Sequence, residues 1–324
     1  ATNGVGGGKK ALRIAAEYAA ERTQFGGPIA QFGMIKQKIA DMAARLYATQ
    51  SMAYRTAGLV YDALEALGEE GKSIDKRLDV LTEFQMECAQ SKYFGAEMIN
   101  YLADETLQIH GGYGFSEEYP AAKLYRDWRI TRICRNTVVK AILRKARAGE
   151  LDLNAAFAAA VPADKTDSSA GRDDSFDSLI AQIADLKHVF AYVLKAAIDA
   201  FGEEGLLANN NQQAVSSLAD IATEIFAAES AVLRVAKLQA KAPDADLNLS
   251  AALARLHFHK AADRIRHEAT ELLGDILQPD VLRTRLSDIA GWFPLPINRL
   301  EMRNYIADTL VAAGGELPDL RIAG

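Results

Sequence analysis

At 324 residues, 49% hydrophobic and 25% charged, the chain is long enough for two or more helical domains with real cores and has an ordinary soluble globular composition. Its net charge of −6 provides no global basic field for nucleic acid or an anionic membrane. The two cysteines, Cys88 and Cys134, lack CxxC or Cys/His spacing, which speaks against a disulfide framework or structural zinc and for a reducing compartment. No apolar run reaches membrane-span length, and no signal peptide is visible.

The chain opens with Ala1 in ATNGVGGGKKALRIAAEYAAERTQFG, a start that reads as the middle of a longer polypeptide. GVGGGKK is a poor phosphate loop: Lys9-Lys10 is followed by Ala11 instead of Ser or Thr, and no strand precedes it. Its small residues are better suited to letting two helices approach closely. Gly26-Gly27-Pro28 is expected to end the first helix. In the next, Ile35, Ile39, Met42 and Leu46 fall on one face, and Lys36, Lys38, Asp41 and Arg45 take the other. Gly68-Glu69-Glu70-Gly71 marks a break. A long helix through Phe84, Cys88, Gly95, Met98 and Leu102 then runs to His110, where Gly111-Gly112 stops it.

Residues 161–178, VPADKTDSSAGRDDSFDS, are polar and poor in aromatics and read as a linker. The expected organisation is all-α: an antiparallel four-helix bundle over 1–153, a linker over 154–178 and an additional helical domain over 179–324. Three or four helices are expected in that last part. One carries a seam of Leu218, Ile221, Ile225, Ala228, Val232 and Val235, and WFPLPIN, with Pro294 and Pro296, marks a non-helical crossing.

Chemistry-bearing motifs are sparse. None of His110, His188, His257, His259 and His267 has a glutamate three residues before it, so a di-iron bundle is excluded and all five read as surface or helix-end residues. G-x-S-x-G is absent. Two segments stand out. Glu21-Arg22-Thr23-Gln24-Phe25-Gly26 ends an amphipathic helix; Arg22 either complements the helix dipole or grips a pyrophosphate, and Phe25 either fills the core or lies against a ring system. In Gln108-Ile109-His110-Gly111-Gly112-Tyr113-Gly114-Phe115 the glycines either cap a helix or leave bare backbone for a flat cofactor, with Gln108 supplying an amide.

Together these segments resemble the acyl-CoA dehydrogenase family. Arg22-Thr23-Gln24-Phe25-Gly26, then Pro28-Ile29-Ala30-Gln31-Phe32, is similar to its R-x-x-F-G-x-x-I-x-x-F/H-Q segment. Gln108 to Phe115, then Glu118-Tyr119-Pro120 and Tyr125-Arg126-Asp127, is similar to its Q-x-x-G-G-x-G-F…E-Y-P…x-R-D signature. The resemblance is strong over roughly residues 1–150; the remainder is similar in pattern to the extra helical domain of very-long-chain members. It implies FAD at a subunit interface. Arg22, Gln24 and Phe25 would face the cofactor of a neighbouring chain, Phe32 would lie near its adenine end, and Gln108, Gly111 and Gly112 would line the same groove. Gly33 stands where the family has a glutamine, a departure at the adenine end.

A second departure concerns catalysis. Family members carry an F/Y-E-G-T loop, whose glutamate in many of them removes the substrate α-proton, where this chain runs from Ile133 directly into Cys134. About seven residues are missing there, and the chain is expected to be a C-terminal part without the family's N-terminal half, so no catalytic residue is assigned and the chain alone is expected to be inactive. The parent function implied is α,β-dehydrogenation of fatty acyl-CoA in fatty acid β-oxidation, with electron-transfer flavoprotein as acceptor and a homodimer or higher assembly. The setting implied is bacterial cytoplasm or the mitochondrial matrix side, without secretion. Membrane contact is left open, the acidic linker weighing against it. The alternative is a non-catalytic helical scaffold or interaction protein derived from that family. A fragment of a competent enzyme is the preferred reading, because one loop is removed cleanly while the flanking motifs survive.

Overall fold

The computed structural model describes residues 2–132, 137–160 and 175–318. Helix α1 (Thr2–Glu21) leads into a two-stranded hairpin, β1 (Thr23–Gln24) against β2 (Gly27–Pro28), and α2 (Gly33–Ala66) follows a short 3-10 turn. Then come α3 (Ile74–Glu83), α4 (Gln85–His110), a 3-10 turn (Gly111–Phe115), α5 (Pro120–Arg129), α6 (Thr137–Arg147) and α7 (Leu153–Ala159). The rest is α8 (Phe176–Leu206), α9 (Gln212–Lys241), α10 (Asn248–Ile276), α11 (Pro279–Ala290) and α12 (Arg299–Ala312).

Local sequence explains most boundaries. Asp152, Ser175 and Asn298 cap α7, α8 and α12 by accepting the N–H of Ala155, Ser178 and Leu300. Pro120 and Pro279 open α5 and α11, where a missing N–H is tolerated. Gly111 (φ 57) ends α4 as expected, whereas α1 ends at Glu21, before Gly26, because Arg22 leaves the helix to start the hairpin. Among the described residues five helices, α8 to α12, follow residue 175, against the three or four expected; Gly202 (φ 69, ψ 161) also breaks α8 near its end.

The bundle forms around α2. Its antiparallel course along α4 is fixed by the Thr56–Ser91 hydroxyl pair at 3.0 Å near one end and the Lys38–Glu105 ion pair near the other. Helix α1 closes onto α4 through glycine, a Cβ on Gly4 falling 3.0 Å from the Gly95 carbonyl oxygen, so the N-terminal glycine run serves helix contact. From Ile39 to Met52 every residue of α2 except Arg45 is buried. A helix buried all round must be covered on both sides. One side meets α1 and α4, and the other meets α9, α10 and α12. Asp41, on the polar face of α2, is therefore covered: it is 5% exposed and held by Lys260 at 2.5 Å and Arg303 at 3.1 Å.

Two apolar clusters result. One joins α1, α2 and α4 to Val235, Leu253, Leu256, Ile306 and Leu310. The other joins Val138, Val139, Ile142 and Leu143 of α6 to α8, α9, α10 and the buried Trp292 and Phe293 of the WFPLPIN crossing. The seam residues of α9, Leu218 to Val235, are all buried.

Between α2, α4, α9 and α10 lies a polar cavity of about 160 Å³. Glu224 accepts from Arg264 at 2.7 Å, while Glu224 Oε2, Arg45 Nε and Thr223 Oγ1 have no protein partner; the space suits ordered water. Burial, with Arg264 beside it, lowers the Arg45 guanidinium to about 10. His257 and His259 lie mid-helix in α10 at 2% exposure, a correction to the reading of the histidines as surface or helix-end groups. Periodicity hid this because both faces of α10 are covered. Among the described residues, no helix is long and apolar enough to cross a membrane.

Candidate functional site

The junction of α1 and α2 and the end of α4 form the two walls of an open cleft of about 510 Å³. On the first wall, Arg22 N donates to the Tyr18 carbonyl at 2.9 Å and Ile29 N to the Arg22 carbonyl at 2.8 Å, which fixes the hairpin at the helix end. Phe25 (φ 53) and Gly26 (φ 92) form its two-residue turn, a conformation that suits asparagine and glycine. Phenylalanine there is strained, and its ring is 91% exposed, touching Phe32 edge-on at 6.0 Å. Conformational energy is thus stored in presenting an aromatic face to solvent.

The second wall begins where α4 stops. Gly111, at φ 57 and ψ −135, holds a conformation that side chains other than glycine resist, and a Cβ on Gly111 or Gly112 would meet only open space. A Cβ on Gly114 would instead fall 2.4 Å from the Leu107 carbonyl oxygen, so only glycine lets the turn fold back on α4. Bare backbone therefore faces the cleft. The first wall faces it with a cation: Arg22 lies over the Tyr113 ring at 4.8 Å and has no carboxylate partner among the described residues.

Of the seven residues read as cofactor-facing, Arg22, Gln24, Phe25, Gly111 and Gly112 line this cleft together. Phe32 stands beside it against Phe25, and Gln108 is exposed on the last turn of α4, its carbonyl accepting the Gly111 N–H. Tyr18, Ile29, Ile109, His110 and Tyr113 also line it and were missed. Tyr18 lies one helical turn before Arg22 and stacks on His110 at 3.9 Å and 18°; that i,i+4 spacing was the available signal. Tyr119 closes the aromatic group, 6.0 Å from Tyr18 and 5.4 Å from Tyr113. The expected position of a catalytic glutamate, between Ile133 and Cys134, lies outside the described residues.

A cationic edge, exposed aromatic surface and a glycine floor suit a flat, anionic ligand. Comparisons with known proteins place the chain in a family. A family model described as "Acyl-CoA dehydrogenase, C-terminal domain" matches residues 1–135, and a second of the same description matches residues 185–290. The chain belongs to the acyl-CoA dehydrogenase family. It is 32% identical over 326 residues to a probable acyl-CoA dehydrogenase of Bacillus subtilis, covering 96% of this chain and 52% of that protein. The crystal structure of an acyl-CoA dehydrogenase complexed with FAD from Bacillus anthracis superposes with a TM-score of 0.87 at 32% identity, covering 96% of this chain and 54% of that one. The mitochondrial very long-chain specific acyl-CoA dehydrogenase of Bos taurus is 39% identical over 129 residues, 40% of this chain and 17% of that protein. The chain thus spans about half the length of the Bacillus relatives, and helices α8, from residue 185 onward, to α11 lie within its second family match.

Proposed function

We propose that this chain is the helical, flavin-facing part of an FAD-dependent dehydrogenase that oxidises fatty acyl-CoA between its α and β carbons. The observation that carries the reading is the Arg22 guanidinium, without a carboxylate partner among the described residues, set beside the open Gly111-Gly112 backbone. Arg22 would hold the pyrophosphate through its planar fork, Gly111 and Gly112 would let the cofactor approach the main chain, and Phe25 would offer its ring as a platform. Gln24 and Gln108 would supply amides, and Phe32 would lie near the adenine end. The bound FAD would supply a hydride acceptor.

The residues present bind and orient. A base for the α-proton must be a carboxylate within hydrogen-bond reach, and the run from Ile133 into Cys134 offers none, so this chain alone would be inactive. The exposed Phe25 supports a second protomer closing over the cleft, and hence at least a homodimer. Electron-transfer flavoprotein is the acceptor that fits this reading; one relative, from Acetobacterium woodii, is named "Caffeyl-CoA reductase-Etf complex subunit CarC". The Bacillus relatives favour a bacterial cytoplasmic setting over a mitochondrial one.

The visible spectrum of the complete protein tests this reading. A bound-flavin spectrum is expected, with no bleaching by a long-chain acyl-CoA until a loop bearing Phe-Glu-Gly-Thr is inserted after Ile133. A colourless protein that takes up no FAD would instead favour the scaffold reading, which the missing glutamate also permits.

A further inference from the structure

We propose that His110 is a positioning residue of the same cleft, its Nε2 accepting a hydrogen bond from a sugar hydroxyl adjoining the diphosphate at Arg22. The inference rests on the flavin reading and adds to it a group that discriminates within the ligand. His110 is the last residue of α4 and only 4% exposed. Tyr18 covers one face of its ring at 3.9 Å, and Tyr119 meets it at 5.9 Å and 71°. Its Nδ1 lies 2.7 Å from the Thr106 carbonyl oxygen. A carbonyl can only accept, so Nδ1 carries the hydrogen, and in the neutral imidazole Nε2 keeps its lone pair. Burial, opposed by the Thr106 bond, holds the ring below its ordinary pKa and so favours that neutral form.

The chemistry of the lining makes this lone pair selective. Arg22 offers donors alone, whereas Tyr18, Tyr113 and Gln24 can donate or accept. The Nε2 of His110 can only accept, so it disfavours an anionic oxygen and suits a hydroxyl. Tyr18, which carries the His110 ring, precedes Arg22 by one turn, about 6 Å along α1. Acceptor and cation thus line one cleft, as a diphosphate and the hydroxyls of the sugar beside it require. Two parts of FAD offer such hydroxyls, the ribose of its adenosine and the ribityl chain of its flavin.

The test is calorimetric binding of ADP, of its 2′-deoxy and 3′-deoxy analogues, and of FMN to the complete, flavin-free protein. His110→Phe keeps a ring against Tyr18 and removes Nε2; Arg22→Ala serves as the reference. The variant is expected to bind ADP or FMN about five-fold more weakly, the size of one neutral hydrogen bond. Loss with ADP that disappears for one deoxy analogue identifies the ribose, and loss confined to FMN identifies the ribityl chain. These ratios are unaffected by any unfolded fraction. Equal loss for every ligand, or loss for none, overturns the proposal while leaving the flavin reading intact. A wild-type protein that binds none of them, or binding indifferent to Arg22→Ala, overturns the flavin reading and this inference with it.

Discussion

Phe25 carries the plainest sign of function at the scale of one residue. It sits at φ 53 with 91% of its surface exposed, where a hairpin turn would be more comfortable with asparagine. Phe25→Asn should therefore stabilise the flavin-free protein by about 1 kcal/mol, seen as a higher melting temperature, while weakening FAD binding several-fold. Unchanged affinity would show that the ring does not serve the cofactor. The short motifs made Arg22, Phe25 and the two glycines legible in the sequence. Tyr18 and Tyr113 were not, because their place in the cleft depends on a ring stack and a cation–ring contact made across two helices.

His257 illustrates what a sequence hides. Burial, reinforced by Arg264, Arg45 and Lys260 and opposed by Glu224, pushes its pKa down to about 3 from 6.5. Below pH 6.5 the unfolded chain takes a proton that the folded chain refuses until about pH 3, so stability falls with falling pH through that window. The slope is about 1.4 kcal/mol per unit. Between pH 7 and 5, chemical denaturation should show the wild type losing about 2 kcal/mol more than His257→Gln. Equal losses would place the acid sensitivity elsewhere.

Among the elements, α2 does most to set the architecture. At 34 residues it runs about 50 Å, long enough to serve as a wall for the bundle and a support for α9, α10 and α12. Periodicity separates the apolar from the polar positions of α2 but cannot tell which polar face another helix will cover. Asp41 is the consequence, anchoring Lys260 of α10 and Arg303 of α12. Asp41→Ala leaves two cations without their carboxylate and should cost about 3 kcal/mol, the low end for a broken buried pair, since Lys260 and Arg303 are 24% and 19% exposed. A loss under 1 kcal/mol in a denaturation midpoint would mean that these helices dock by apolar contact alone. The α9 seam, by contrast, was legible, because an apolar repeat facing its neighbours on a long helix leaves few alternatives.

Across the whole molecule, the all-α character and the helix breaks at Gly68 and Gly111 could be read from glycine, proline and periodicity. The shared cores could not: a polar stretch in sequence says nothing about whether helices on either side of it pack together, and here α2 meets α9, α10 and α12 directly. That packing gives the cleft a rigid backing, because α1 and α4, which carry Arg22 and Gly111 at their ends, belong to the same cluster as Val235, Leu256 and Leu310. The most direct test of the central claim is the equilibrium dissociation constant of FAD for the complete protein and for Arg22→Ala. A charge-assisted contact of roughly 1.5–3 kcal/mol predicts affinity about 10- to 150-fold weaker in the variant, with an unchanged melting temperature for the flavin-free forms. Equal affinity in the two proteins would contradict the account.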